Sequence, residues 1–130
     1  MMADQTLEKI VTEVDESKGL TVHTICKTVG IEDIKQKLRE FYSGRITKNI
    51  IWDFTNASVD SSVSGDNLNF LLRYAKQFSR PGGKTALVAT KAKDFDLARI
   101  VETKIHVDRK DIELMVFKNY ADAIKWLAEQ

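Results

Sequence analysis

The sequence predicts an α/β domain with a mixed sheet, and three features carry that prediction. Two β-branched stretches near the amino terminus flank the polar cluster Asp15–Gly19, which argues a hairpin. Amphipathic helical stretches and short apolar runs then alternate to the end of the chain. The most apolar run, Lys48–Phe54, has the continuous hydrophobic character of a strand covered on both faces. The expected order is ββαβαβαβα: an N-terminal hairpin, then parallel strands with helices packed on the sheet.

Leu7–Val14 is rich in β-branched residues and reads as the first strand. After the Asp15–Gly19 turn, Leu20–Thr28 alternates as a second strand. Leu20, Val22, Thr24 and Cys26 share one face, and Thr21, His23 and Ile25 the other. Gly30 ends it. Ile31, Ile34, Leu38 and Phe41 recur at helical spacing with polar residues between, and Ser43-Gly44 stops that helix. The central strand Lys48–Phe54 follows, with Asp53 at its carboxyl end. Thr55–Asp66 is polar, and a helix then runs to about Ser79, carrying Leu68, Leu71, Leu72, Ala75 and Phe78 on one side, with Ser64 or Asp66 as its N-cap. Arg80-Pro81-Gly82-Gly83 is a turn and Lys84–Thr90 a buried strand. Asp94 is expected to cap a helix containing Phe95, Ala98 and Val101 that frays near Lys104. Ile112–Phe117 is the last strand. Asn119 caps a final helix with Tyr120, Ala123, Ile124 and Leu127 at spacings of three, one and three.

At 130 residues the chain suits one core, and with no repeat or linker it reads as a single domain over residues 1–130. Cys26 is the one cysteine, so no disulfide forms within the chain, and a reducing compartment is expected. Twenty basic residues face 19 acidic ones without a basic stripe, which argues against nucleic acid. No apolar run reaches the ~18 residues of a membrane span. Met1–Gln5 lacks the pattern of a signal peptide, so the cytoplasm is the expected location.

Several strings resemble chemistry and fail on context. Gly83-Lys84-Thr85 suggests a phosphate loop, but the motif's first glycine would fall at Phe78, and the string leads from a helix into a strand. Asp53 ends a strand as a phospho-accepting aspartate does, but the acidic pair that would hold Mg²⁺ is missing from its place, since Asp15 and Glu16 lie in the hairpin turn. The plainer role is hydrogen bonding to amides of the following loop. His23 and His106 are the only histidines, and no Cys or acid cluster accompanies them at ligand spacing, so no metal and no cofactor are expected. His23 reads as solvated, Cys26 as a small core residue, and Trp126 as packing against the sheet or a dimer partner.

The loop Thr55–Asp66 stands out. It is about twice the usual two to six residues of such connections. It leaves the carboxyl end of the central strand, where open α/β sheets place ligands, and it runs into a helix N-terminus. Asp53, Thr55, Asn56, Asp60, Ser61, Ser62 and Ser64 are therefore the candidate ligand- or partner-binding residues.

Three strings carry a resemblance to a known family: Ile50-Ile51-Trp52-Asp53-Phe54; Asp60-Ser61-Ser62 ahead of Arg73-Tyr74-Ala75-Lys76-Gln77; and Val116–Leu127 with its Ala-x-x-Trp-Leu helix. Together with the element order they resemble the STAS fold (the sulfate-transporter and anti-sigma-factor-antagonist domain), above all its small bacterial STAS/SEC14-like branch. In anti-sigma antagonists the serine after the aspartate of an Asp-Ser-Ser motif accepts phosphate from a partner kinase. That resemblance implies Ser61 as phospho-acceptor, where about two added negative charges would alter docking. Val63 stands where the family has glycine. The SEC14-like relation implies instead a pocket for a lipid-like molecule between sheet and helices.

The expectation is a non-enzymatic STAS-like binding or regulatory module, acting through protein contacts or a small anionic ligand at the Asp53–Asp66 loop. The alternative is a carrier of a small hydrophobic ligand. A third reading, a hydrolase or transferase using Asp53 and the serines, needs folding to bring His106 near as a base. Glu113 and Lys118 flank the last strand, beside which a homodimer contact is possible.

Overall fold

The computed structural model describes residues 8–78, 80, 82–109 and 112–129. Five strands form one sheet in the order β1-β2-β3-β4-β5: Ile10–Asp15, Leu20–Ile25, Asn49–Asp53, Gly83–Val88 and Ile112–Phe117. β1 and β2 pair antiparallel, and every later pair is parallel, as the sequence predicts. The helices are α1 (Ile31–Ser43), α2 (Gly65–Ala75), α3 (Ala92–Asp108) and α4 (Tyr120–Leu127). None of the helices, among the described residues, is long and apolar enough to cross a membrane.

The hairpin turn is a short 3₁₀ segment, Glu16–Lys18, closed by Gly19 at φ 59°, a left-handed conformation that suits glycine. The first expected strand residue, Leu7, lies outside the described residues, as do Ser79 and Pro81. β2 stops at Ile25 because the Cys26 and Lys27 amides both turn to the Lys9 carbonyl, at 2.8 and 3.4 Å. The alternation ends there, so Cys26 is exposed rather than a core residue. His23 is also corrected: it is 1% exposed, because its face of β2 lies under α1, where Phe41 and Trp52 contact the ring.

The two faces of the sheet are covered differently. Leu20, Ile51, Ala86 and Val88 meet α4, and the small pair Ala86 and Ala123 lets that helix come close. Trp126 packs there on Phe117, with ring centroids 5.6 Å apart. The opposite face presents Ile50 and Trp52 to α1, α2 and α3. These helices lean on one another, α2 on both α1 and α3, and none of the three approaches β3 or β4 as closely as α4 does. Large side chains hold them off, and space is left beneath.

α3 begins earlier and runs further than its sequence suggests. Lys91 is the N-cap, with its carbonyl accepting the Phe95 amide at 2.9 Å, so Asp94 sits inside the first turn and is buried. His106 lies in the last turn.

Candidate functional site

The Asp53–Asp66 loop is tied down along much of its length. Asp53 is buried on the α4 side of β3, and its Oδ1 accepts the Thr55 amide at 3.0 Å, the backbone role that its position suggests. Thr55 accepts Lys91 Nζ through its carbonyl at 3.4 Å, and Asn56 is exposed. The chain then makes a one-residue parallel bridge between Val29 and Val59. The Val29 amide donates to Ser58 and the Asp60 amide to the Val29 carbonyl, at 3.2 and 2.6 Å. This bridge extends the sheet past the end of β2, which accounts for the loop's length.

Asp60 to Val63 forms a tight turn, closed by the Val63 amide on the Asp60 carbonyl at 3.0 Å. Asp60 Oδ1 accepts the Ser62 amide at 2.7 Å. The Ser62 backbone and hydroxyl hold this carboxyl below its ordinary value, with Lys93 and Lys9 adding to the effect. Ser61 is exposed within the turn, three residues before the helix cap. Ser64 is the N-cap: its hydroxyl accepts the Asn67 amide, while the Asn67 side chain accepts the Ser64 amide at 2.7 Å. The start of α2 is thus capped from within the chain, and Asp66 in its first turn brings a negative charge to the helix N-terminus.

The loop has an inner side as well. Val63 is 3% exposed, in the position where the resemblance expects glycine, and with Val59 it lines an apolar pocket of about 170 Å³. Ile50, Trp52, Leu87 and Leu114 form the floor on the sheet, with Ile34 and Leu38 from α1, Leu68, Leu71 and Ala75 from α2, and Leu97, Ala98 and Val101 from α3 as walls. Arg80 and Arg109 close the end beside the amino termini of the strands, and Asp94 the end beside their carboxyl termini. Arg80 donates to the Lys48 carbonyl, Tyr42 Oη and Thr85 Oγ1 at 3.1, 3.2 and 2.5 Å. Arg109 donates to the Ala75 and Phe78 carbonyls.

The serines and Asp53 are not brought together with a histidine. α3 runs back from the carboxyl edge of the sheet to its amino edge, so His106 lies at the end opposite Asp53. His23 and Asp53 project from opposite faces, because His23 pairs in register with Trp52 and Thr24 with Asp53. The pocket was not legible residue by residue, since each lining side chain also suits an ordinary core.

A solved structure of a DUF3478-family protein from Shewanella loihica PV-4, with a SpoIIAA-like fold, is similar at TM-score 0.54 and 16% identity, covering 92% of each chain. The anti-sigma factor antagonist SpoIIAA in its unphosphorylated form matches at TM-score 0.49 and 17% identity, over 93% of this chain and 99% of its own. The Bacillus cell fate determinant SpoIIAA in its phosphorylated form matches at TM-score 0.48 and 14% identity, over 91% and 98%. No family model matches the sequence, and no curated protein does. The hairpin, the parallel strands and the likeness to the Shewanella structure together show a SpoIIAA-like, that is STAS-like, fold.

Proposed function

We propose that this chain is a STAS-like regulatory binding module: a small apolar ligand occupies the pocket, and the Asp53–Asp66 loop presents the surface that a protein partner reads. One observation carries the reading. Val59 and Val63 line the pocket, while Ser61 and Ser62 on the same loop face solvent. What fills the pocket therefore touches the segment that forms the surface. Native interiors hold few voids larger than a water molecule.

Native mass spectrometry of the purified chain tests the ligand. A non-covalent apolar adduct is expected, or one acquired on exposure to small aromatic compounds. Ala98 lines the pocket, and Ala98→Leu is expected to fill it, abolishing the adduct and stabilising the ligand-free chain by about 1 kcal/mol. A native chain that takes up no apolar compound, together with an Ala98→Leu chain that loses stability, would show the space to be already filled.

The surface half of the reading rests on Ser61, the exposed hydroxyl of the Asp60–Val63 turn. Phosphate there would add about two negative charges beside the Asp60 carboxylate, enough to repel a partner that docks on the loop. Labelled ATP with cell extract is expected to label the native chain and not Ser61→Ala. Label that persists in the variant removes Ser61 as the acceptor.

A further inference from the structure

We propose that the pocket selects an apolar molecule carrying one hydroxyl, an alcohol or a phenol of about one ring in size, and that the Asp94 carboxylate holds that hydroxyl. The inference rests on the pocket being a ligand site and specifies what the ligand must look like.

Asp94 lies in the pocket wall and is only 5% exposed. Its Oδ1 accepts the Val59 amide at 3.5 Å, a long bond. Its Oδ2 is buried and, among the described residues, receives no hydrogen bond. A buried carboxylate oxygen without a donor is costly, and an ionised carboxylate can only accept. Just two buried side-chain atoms lack a partner among the described residues, His23 Nε2 and Asp94 Oδ2, and of these residues only Asp94 lines the pocket. The pocket is thus short of a donor at its Asp94 end.

The other end makes no matching demand. Nε and both terminal nitrogens of Arg80 already donate to protein oxygens, and Arg109 donates to two carbonyls. A ligand carboxylate would have to share these guanidiniums with the protein oxygens already on them. Size follows from volume: a cavity of about 150 Å³ lined by Leu, Ile and Phe binds benzene, and this pocket holds about 170 Å³. One substituted ring fits, with its hydroxyl toward Asp94 and its apolar edge against Trp52 and Leu71.

Asp94 also links the pocket to the loop. The carboxylate that would take the ligand's hydroxyl is the one that holds the Val59 amide, and Val59 is the residue bridged to Val29. Ligand binding would be felt at the bridge.

The experiment compares para-cresol with para-xylene, which match in shape and differ by hydroxyl against methyl. Both are titrated into the intact chain by calorimetry, with the Val59 amide followed by NMR. Para-cresol is expected to bind about ten-fold more tightly or better, as for a hydrogen bond to a charged acceptor, and to shift the Val59 amide. In Asp94→Asn the preference should fall to about three-fold or less. Equal affinities, or a preference for para-xylene, in the native chain would overturn the Asp94 assignment while leaving the pocket a binding site. Failure of both compounds to bind would overturn the pocket reading, and this inference with it. If Asp94→Asn does not fold, the native preference and the Val59 shift still decide.

Discussion

Lowering the pH from about 7 to 5 is expected to cost this protein about 2 kcal/mol of folding stability, through His23 alone. The ring lies between Phe41 and Trp52, with centroids 5.9 and 4.4 Å away. Nδ1 is 2.9 Å from the Thr12 hydroxyl, and Nε2 is buried without a partner. Burial disfavours the charged ring and pushes its pKa down to about 3, with Lys37 adding to the shift and Glu40 opposing it. The native state therefore holds His23 neutral, while the unfolded chain takes up a proton near the ordinary value of about 6.5. The stabilisation is present above the unfolded pKa and is lost as pH falls toward the folded one. Across that window the slope approaches about 1.4 kcal/mol per pH unit. Carboxylates with lowered pKa, such as Glu40 and Asp60, act only in the lower part of this range. Urea unfolding at the two pH values measures the effect. His23→Leu, close in volume and unable to titrate, should be nearly flat between them. Equal stability of the native chain at both values would contradict a buried neutral ring. Trp52 connects this residue to the site, because it contacts the His23 ring and forms part of the pocket floor.

His23 also marks a limit of what the sequence tells. Alternation places Thr21, His23 and Ile25 on one face, and they do share it. Alternation does not say which face a helix covers. A strand with polar residues on both sides reads as half-solvated until α1 is laid across it. Asp94 shows the same limit. An aspartate just after a strand suits an N-cap, but the N-cap is Lys91 and the helix starts at Ala92, and a shift of three residues turns a capping group into a buried one facing the pocket. The fold itself was legible because its signals are local: the hairpin turn, the apolar central strand and the helix stripes each arise within about a dozen residues. The candidate loop was legible through its length, and the cap of α2 to within two residues, since Ser64 and Asp66 both suited it and the structure selects Ser64. The pocket was not. Leu68, Leu71 and Val101 have the same spacing whether they close on the sheet or stand away from it, and only the packing of α1, α2 and α3 on one another decides.

That packing depends on the amino end of β4, and Gly83→Ala is the substitution expected to damage it most. The cost would not come from backbone strain, since among the described glycines only Gly19 and Gly82 have positive φ. It would come from space. A Cβ on Gly83 would coincide with the Arg80 guanidinium and lie 2.9 Å from the Lys48 carbonyl oxygen, which is backbone and cannot withdraw. Arg80 would have to leave, although it is 5% exposed and joins the Lys48 carbonyl, Tyr42 and Thr85. Those acceptors would be left in a buried site, at about 1–3 kcal/mol for each one not recovered by water. The expected loss is about 3 kcal/mol, read as a fall of roughly 1 M or more in the urea midpoint. Gly30→Ala is the control: it caps α1, nothing lies within 4 Å of the point its methyl group would occupy, and the change should cost about 1 kcal/mol or less, the loss usual when alanine replaces a good capping residue. Arg80→Ala combined with Gly83→Ala should cost far less than the two single changes together, because both remove one set of contacts. Additive losses would mean that Gly83 acts through something other than Arg80, and the pocket's amino end would then not depend on this pair.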